Sequence, residues 1–470
     1  MGIGDLAEGA LREVAGLVPG IPESWSETAV RLGVTGLSRA GKTVFIASLV
    51  ANLLDRGRMP GLRAEAEGRI AAVWLRPQPD VTVPRFDFEA HLAALTGPSP
   101  RWPESTRAVS ELRLSFRVRP AGMLSSLRAP RTVHLDIVDY PGEWLLDLAL
   151  LEKSYADWSR ETLARIADRA EAAGFMGALR GADPKTAFDE GVAQGLARAF
   201  KGYLSAARAA GYSDCTPGRF LLPGELDGSP VLTFAPLADG GGRGSLAREM
   251  ARRFEGYKAR VVKPFFRDHF AKVDRQIVLA DVLGAIHAGP KATEDMRRTL
   301  AEILAAFRPG RNGWLTRLFG GRRVERILFA ATKADHLHHE QHPRLTAIIA
   351  AMLREAKGRA DFAGAETAAM AVAGLRATVE ESFRHDGADL GGVRGTLLET
   401  GRQALLYPGE LPADPSRILS PARDGAGRWL DADYRVMSFA PARLTLRPGE
   451  GPPHIRLDRA AEFLFGDRLA

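Results

Sequence analysis

The sequence predicts an α/β fold with a mostly parallel sheet, a large, mainly helical insertion and a small C-terminal extension that contains β-structure. A short apolar strand at residues 28–35 runs directly into a glycine-rich loop and a helix. Strands and helices then alternate between residues 273 and 378, and such alternation requires crossover helices and parallel strand pairing. Residues 144–272 are rich in alanine and arginine and follow helical spacing instead.

Composition is that of an ordinary globular protein, with 45% hydrophobic and 26% charged residues among 470. A net charge of +7 leaves nucleic acid, anionic lipid and an acidic partner open. The single cysteine, Cys215, excludes an intramolecular disulfide and suits a reducing cytosol. No apolar run reaches the roughly 18 residues of a membrane span, and acidic residues near the start argue against a secretory signal.

The first half of the chain supplies most of the predicted strands. Residues 69–75 and 133–139 read as strands, and residues 86–95 read as a helix. Residues 111–118 alternate strictly between apolar and polar side chains, which predicts a strand with one solvated face.

The second half contains the insertion and the extension. Within the insertion, the proline- and glycine-rich stretch at 220–236 is expected to hold short strands. A hairpin around Thr400 and Gly401 and a strand at 434–446 make the extension β-rich. We predict an amphipathic helix at 1–20, a nucleotide-binding domain at 21–143 and 273–378, a helical insertion at 144–272, a β-rich extension at 379–455 and a terminal helix on the core at 456–470.

The glycine-rich loop fits the pattern GxxxxGK[ST] of phosphate-binding loops. Its glycines let the backbone curl so that N–H groups point at the β-phosphate, while Lys42 neutralises the β- and γ-phosphates and Thr43 binds Mg²⁺. The predicted nucleotide-binding residues of this segment are Gly36, Ser38, Arg39, Ala40, Gly41, Lys42, Thr43 and Val44.

A second motif, DxxG, closes the strand at 133–139. Asp139 would hold Mg²⁺ through water, and the N–H of Gly142 would contact the γ-phosphate. Thr106 precedes the neighbouring strand and is predicted to complete the Mg²⁺ ligands, with Ser105 as its rival.

Catalysis needs a group that orients water and a positive charge near the phosphates. Glu143 follows the DxxG glycine, where its carboxylate can orient or deprotonate water but also repels the γ-phosphate, so hydrolysis is expected to be slow. Arg39, Arg101 and Arg107 are candidates for the positive charge, and each is as readily a plain solvated arginine. Lys42, Gly142, Glu143 and Arg39 are the predicted catalytic residues.

The base specificity rests on the sequence TKAD, which follows a later apolar strand. A phosphate loop alone leaves kinases, ATPases and GTPases open, but the Asp335 carboxylate can accept from both the ring N–H and the amine of guanine. The Lys333 stem would cover the base, and Thr332 would tie this loop to the phosphate loop. Backbone N–H groups at Leu375 and Arg376 are predicted to contact the guanine oxygen.

Six segments, in this order and across most of the chain, resemble the YcjX-like family of bacterial P-loop NTPases: GLSRAGKT, RWPEST, DIVDYPGEW, DRQIVLADVLGAIHAGP, ATKAD and AGLRAT. The resemblance implies a Ras-like or Gα-like P-loop GTPase core, Mg²⁺-dependent binding and hydrolysis of GTP, switch movement and a place among stress-response genes. It assigns the corresponding roles to Gly36, Gly41, Lys42, Thr43, Asp139, Gly142, Thr332, Lys333 and Asp335.

We therefore expect a conformational switch that hydrolyses GTP to GDP with Mg²⁺. A membrane- or partner-binding scaffold with a structural nucleotide, and an ATPase, are the alternatives. An arginine-rich loop with apolar side chains at 308–326 would suit either anionic lipid or a protein partner. We expect an unidentified partner or regulator, no specific nucleic acid, and a cytoplasmic location with peripheral contact to the inner membrane as an alternative.

Overall fold

The computed structural model describes residues 28–37, 39–104, 108–121, 129–306, 324–361, 365–425 and 438–470. The helix predicted at 1–20 and most of the basic loop at 308–326 lie outside these residues. Within the described ranges, no helix combines the length and the apolar character needed to cross a membrane.

A seven-stranded sheet forms the centre of the fold, in the order β2-β3-β4-β1-β5-β6-β7. Strands β4, β1, β5, β6 and β7 pair in parallel, whereas β2, β3 and β4 pair antiparallel. The predicted α/β class with a mostly parallel sheet is confirmed. The strands are β1 (Thr28–Gly36), β2 (Ile70–Arg76), β3 (Ser110–Val118), β4 (Arg131–Asp139), β5 (Arg275–Ala280), β6 (Arg326–Ala331) and β7 (Glu366–Ala371).

Strand β3 is buried on both faces, so the solvated face predicted for it is wrong. Apart from the exposed Arg117, its charged side chains pair with those of neighbouring strands. The Arg113 guanidinium donates to both carboxylate oxygens of Asp136 at 2.6 and 2.8 Å, and Glu111, which is fully buried, pairs with Arg31. A buried charge is tolerated when an oppositely charged partner forms hydrogen bonds with it. These two charged residues of β3 therefore form buried ion pairs instead of facing water.

Helices cover both faces of the sheet and build two apolar cores. One core joins Val34 and Leu135 to Ile46 and Leu464. The other joins Val138 and the opposite sheet face to the insertion. The helices are α1 (Lys42–Leu54), α2 (Arg63–Ala66), α3 (Phe88–Thr96), α4 (Gly142–Leu146), α5 (Tyr155–Ile166), α6 (Ala173–Arg180), α7 (Glu190–Ala209), α8 (Gly218–Leu221), α9 (Leu246–Tyr257), α10 (Lys263–Asp268), α11 (Val282–Ala288), α12 (Pro290–Ala306), α13 (His342–Asp361), α14 (Ser416–Arg423), α15 (Leu457–Ala461) and α16 (Asp467–Leu469).

The insertion between β4 and β5 consists of helices joined by irregular loops. All of residues 140–274 are described, and none belongs to a β-strand. The strands expected at 220–236 are absent there, because its prolines and glycines divide the chain into α8 and short 3₁₀ turns. An aromatic cluster holds the insertion together, with Trp158 stacked on Phe254 at a centroid distance of 4.9 Å.

The C-terminal extension contains a separate antiparallel sheet of β8 (Val379–His385), β9 (Ala388–Thr396) and β10 (Gln403–Leu406). The hairpin predicted at Thr400 and Gly401 is confirmed, since β9 and β10 pair across it. The strand predicted at 434–446 is not seen in its described part, where Phe439 forms only an isolated bridge with Leu397. The terminal segment from α15 to α16 packs on the α1 side of the sheet. The domain boundaries given above stay a prediction.

Candidate functional site

The phosphate-loop segment connects the end of β1 to the start of α1. The N–H of Leu37 donates to the carbonyl of Leu279 on β5 at 2.9 Å, which ties the loop to the sheet. Arg39 and Gly41 both adopt left-handed backbone conformations, with φ of 63° and 74°. These two residues turn the chain so that α1 begins at Lys42, with its N-terminal amides at the edge of the sheet. Ser38 and its predicted role lie outside the described residues.

Asp139 lies beneath the phosphate loop at the end of β4. It is fully buried, and the Lys42 ammonium contacts its Oδ1. Within the described part of the chain, Asp139 Oδ2 has no hydrogen-bond partner. Hard oxygen ligands suit Mg²⁺, so this carboxylate and the hydroxyl of Thr43 are a donor pair that fits the ion. Thr106, the predicted third ligand, lies outside the described residues, as does its rival Ser105.

Gly142 packs directly on the first glycine of the phosphate loop. A Cβ atom at position 142 would lie 1.9 Å from the carbonyl oxygen of Gly36. No side chain fits at that distance, so only glycine permits this approach. The start of α4 is therefore in backbone contact with the phosphate loop.

The carboxylate of Glu143 faces an arginine that the sequence did not single out. Arg208, near the end of α7 in the insertion, places Nη2 3.0 Å from Glu143 Oε1, and both residues line the same cleft. Of the arginines proposed from sequence, Arg39 lines this cleft. Arg101 is exposed and is not among the described residues that line the cleft. Arg107 lies outside the described residues.

The base-reading loop follows β6, and a local hydrogen-bond network holds its aspartate. Asp335 Oδ2 accepts from the N–H of Ala377 at 2.9 Å, and the hydroxyl of Thr378 donates to the Asp335 carbonyl. A carboxylate has acceptor sites on both oxygens, so this anchoring leaves capacity for a base. Lys333 adopts a left-handed conformation with φ of 59°, and its ammonium contacts Asp281.

Two details of the predicted base site are wrong. The hydroxyl of Thr332 donates to the carbonyl of Ala280 on β5 at 3.3 Å, rather than to the phosphate loop. The N–H of Arg376 donates to the carbonyl of Pro453 at 2.8 Å, so it does not face a base. Leu375 does line the cleft. Pro453, in the extension just before the terminal segment, accepts this hydrogen bond, so the position of the Arg376 N–H depends on residues far along the chain.

Both ends of the predicted site open into one cleft of about 410 Å³. Its lining includes Lys42 and Thr43 from the phosphate loop and Lys333 and Asp335 from the loop after β6. Because parallel strands β1 and β6 end at the same edge of the sheet, the loops that follow them converge there. The lining also includes residues to which sequence reasoning assigned no role in the site: Trp102, Pro103, Arg208, Leu222, Leu398, Ser438 and Phe439.

The charge of the cleft suits a polyanion. Its described lining contains four cationic side chains and two carboxylates, those of Glu143 and Asp335. Burial lowers the pKa of His336, so this imidazole is neutral at pH 7 and adds no positive charge beside Asp335. The excess of positive charge favours phosphate groups. The cations are Arg39, Lys42, Arg208 and Lys333.

Comparison of the sequence with known proteins identifies relatives that are named as GTPases. The model of the YcjX-like family, DUF463, matches residues 30–469. The Ras-like GTPase YcjX of Escherichia coli K12 is 37% identical over 456 residues, covering 94% of this chain and 96% of that protein. The Ras-like GTPase YcjX of Shewanella oneidensis is 37% identical over 468 residues, covering 94% of each chain. The family match spans both ends of the cleft and the insertion between them, and the chain belongs to the YcjX-like family.

Proposed function

We propose that this protein binds GTP with Mg²⁺, hydrolyses it to GDP and acts as a conformational switch in bacterial stress response. One observation carries the proposal: Lys42 of the phosphate loop and Asp335 of the TKAD loop line the same cleft. A nucleotide in this cleft meets a phosphate-binding group at one end and a guanine acceptor at the other. The names of the two relatives support the same activity.

The phosphate end holds the groups for charge neutralisation. The Lys42 ammonium would move from Asp139 to the β- and γ-phosphates, because the carboxylate and the phosphates compete for the same ammonium group. Thr43 and Asp139 would hold the ion, with Thr106 as the proposed third ligand. When bound, Mg²⁺ neutralises the charge that develops on the phosphate oxygens.

Glu143 and Arg208 are the proposed pair for the water attack. A carboxylate beside the γ-phosphate is repelled by it, and the Arg208 guanidinium at 3.0 Å offsets this repulsion. We infer that Glu143 orients the water and that Arg208 stabilises the charge of the transferring phosphoryl group. Because Arg208 belongs to the insertion, movement of the insertion would change the rate of hydrolysis.

Selectivity between GTP and ATP tests the base assignment. Guanine presents two donors to a carboxylate, whereas adenine does not, so we expect GTP to bind at least about 100-fold tighter than ATP. Asp335→Asn exchanges an acceptor for a donor. This change should weaken GTP and favour xanthosine triphosphate, which carries an oxygen where guanine has its amine.

Titration calorimetry with the three nucleotides measures these affinities. Asp386→Asn is the matched control, because Asp386 lies in a turn at the surface of the extension. It should leave all three affinities unchanged. Equal binding of GTP and ATP by the unmodified protein would refute the guanine assignment.

A scaffold with a structural nucleotide is the second candidate. If a bound nucleotide draws Arg208 away from Glu143, the carboxylate repels the γ-phosphate without compensation, which favours slow turnover. Phosphate release measured with excess GTP and Mg²⁺ separates the two functions. Continuous release supports the switch, whereas tightly bound GTP without release supports the scaffold.

A further inference from the structure

The C-terminal extension supplies part of the cleft wall. Leu398, in the turn between β9 and β10, lines the cleft together with Ser438 and Phe439. The Leu398 side chain is also 52% exposed, which is unusual for a large apolar residue beside a charged cleft. Contact with an apolar surface of a ligand would remove this side chain from water, which is energetically favourable.

Backbone hydrogen bonds hold this wall in place. The N–H of Leu398 donates to the carbonyl of Ser438, and the N–H of Ala440 donates to the carbonyl of Thr396, both at 2.8 Å. These two hydrogen bonds link the two segments of the wall.

Two aromatic contacts join the wall to the rest of the site. The indole Nε1 of Trp102, in the segment before the predicted switch residue, donates to the carbonyl of Phe439 at 2.7 Å. The Phe439 ring meets His336 of the TKAD loop edge to face, at a centroid distance of 5.2 Å. The wall thus contacts both the base-reading loop and the segment that leads to the switch.

We propose that Leu398 covers the purine ring of the bound nucleotide and thereby slows its release from the cleft. The inference rests on the proposed function and adds a retention element to the same site. Asp335 reads the edge of the base, whereas an aliphatic side chain contacts its face, which all purines share. Leu398 should therefore slow release of GDP and GTP alike, with a smaller effect on the phosphate chemistry.

Release of a fluorescent N-methylanthraniloyl GDP, chased with excess GDP, tests this role. Leu398→Ser should release the nucleotide about tenfold faster, as expected when a half-exposed leucine loses an apolar contact. Val379→Ser is the matched control: Val379 is 68% exposed on β8 of the same extension and lies outside the described cleft lining. It should release GDP at the unmodified rate.

In Leu398→Ser, the rate of nucleotide release should change by a larger factor than the rate of single-turnover hydrolysis of prebound GTP. Trp102→Phe keeps an aromatic ring but removes the N–H that holds Phe439, so it should also speed release. Unmodified release by Leu398→Ser, or a matching loss of single-turnover rate, would overturn the role of Leu398. If the unmodified protein binds neither GDP nor GTP, the proposed function itself fails.

Discussion

Replacing Gly142 with alanine tests the contact between α4 and the phosphate loop. The new Cβ would lie 1.9 Å from the Gly36 carbonyl oxygen and 2.6 Å from its carbon, well inside the 3.0 Å that real Cβ contacts respect. Backbone atoms must then separate by about 1.1 Å, the difference between 1.9 and 3.0 Å. Because β1 pairs with β4 and β5 on its two sides, the start of α4 is the part that yields.

Overpacking of this kind costs about 1–3 kcal/mol, and about 1.4 kcal/mol corresponds to a tenfold change. We expect single-turnover GTP hydrolysis by Gly142→Ala to fall at least about tenfold, since the amide proposed to contact the γ-phosphate is displaced. GDP affinity, measured by calorimetry, should change less, because the phosphate loop stays on the sheet.

Gly256→Ala is the matched control. Gly256 lies in α9, far from the motifs in sequence, and a Cβ atom added there would meet no heavy atom within 4 Å beyond the backbone of its own helix. Alanine there should raise the free energy of unfolding by about 0.5–1 kcal/mol and leave hydrolysis unchanged. Gly142→Ala with the hydrolysis rate of the unmodified protein would refute the steric argument.

Three further predictions follow from single side chains. Arg208→Gln should lower the rate of single-turnover GTP hydrolysis at least about tenfold, with little change in GDP affinity. The control Arg198→Gln, at an exposed position of the same helix, should not lower this rate. Equal hydrolysis rates in the two variants would contradict the role of Arg208. Burial raises the pKa of the Cys215 thiol to about 12, so Ellman's reagent should label it only when the protein unfolds, and rapid labelling of the native protein would contradict this. Burial raises the pKa of Asp147 from 3.8 to about 7. Between these pH values the native state binds more protons than the unfolded state. The free energy of unfolding should therefore fall as pH rises through this range, by up to roughly 1.4 kcal/mol per pH unit. Asp147→Asn should lack this decline in urea unfolding midpoints, and the same pH dependence in both proteins would show that Asp147 is not its source.

Strands predicted at residues 28–35, 69–75, 111–118 and 133–139 all form within two residues of the expected ends. Apolar periodicity reports burial in a sheet, and it does so from neighbouring residues alone. It does not report which partner a polar residue finds. Glu111 and Arg113 therefore looked solvent-facing in the sequence, although neighbouring strands bury and pair them.

The sequence alone determined the chemistry of the motifs, because a phosphate loop, DxxG and TKAD each act through residues at fixed short spacing. It therefore indicated Lys42 and Asp335 without any coordinates. Only the tertiary structure decided that Arg208 and Leu398 line the same cleft, and that Pro453 holds the N–H of Arg376 away from it. These contacts arise from the packing of elements far apart in the chain, and no local spacing encodes them.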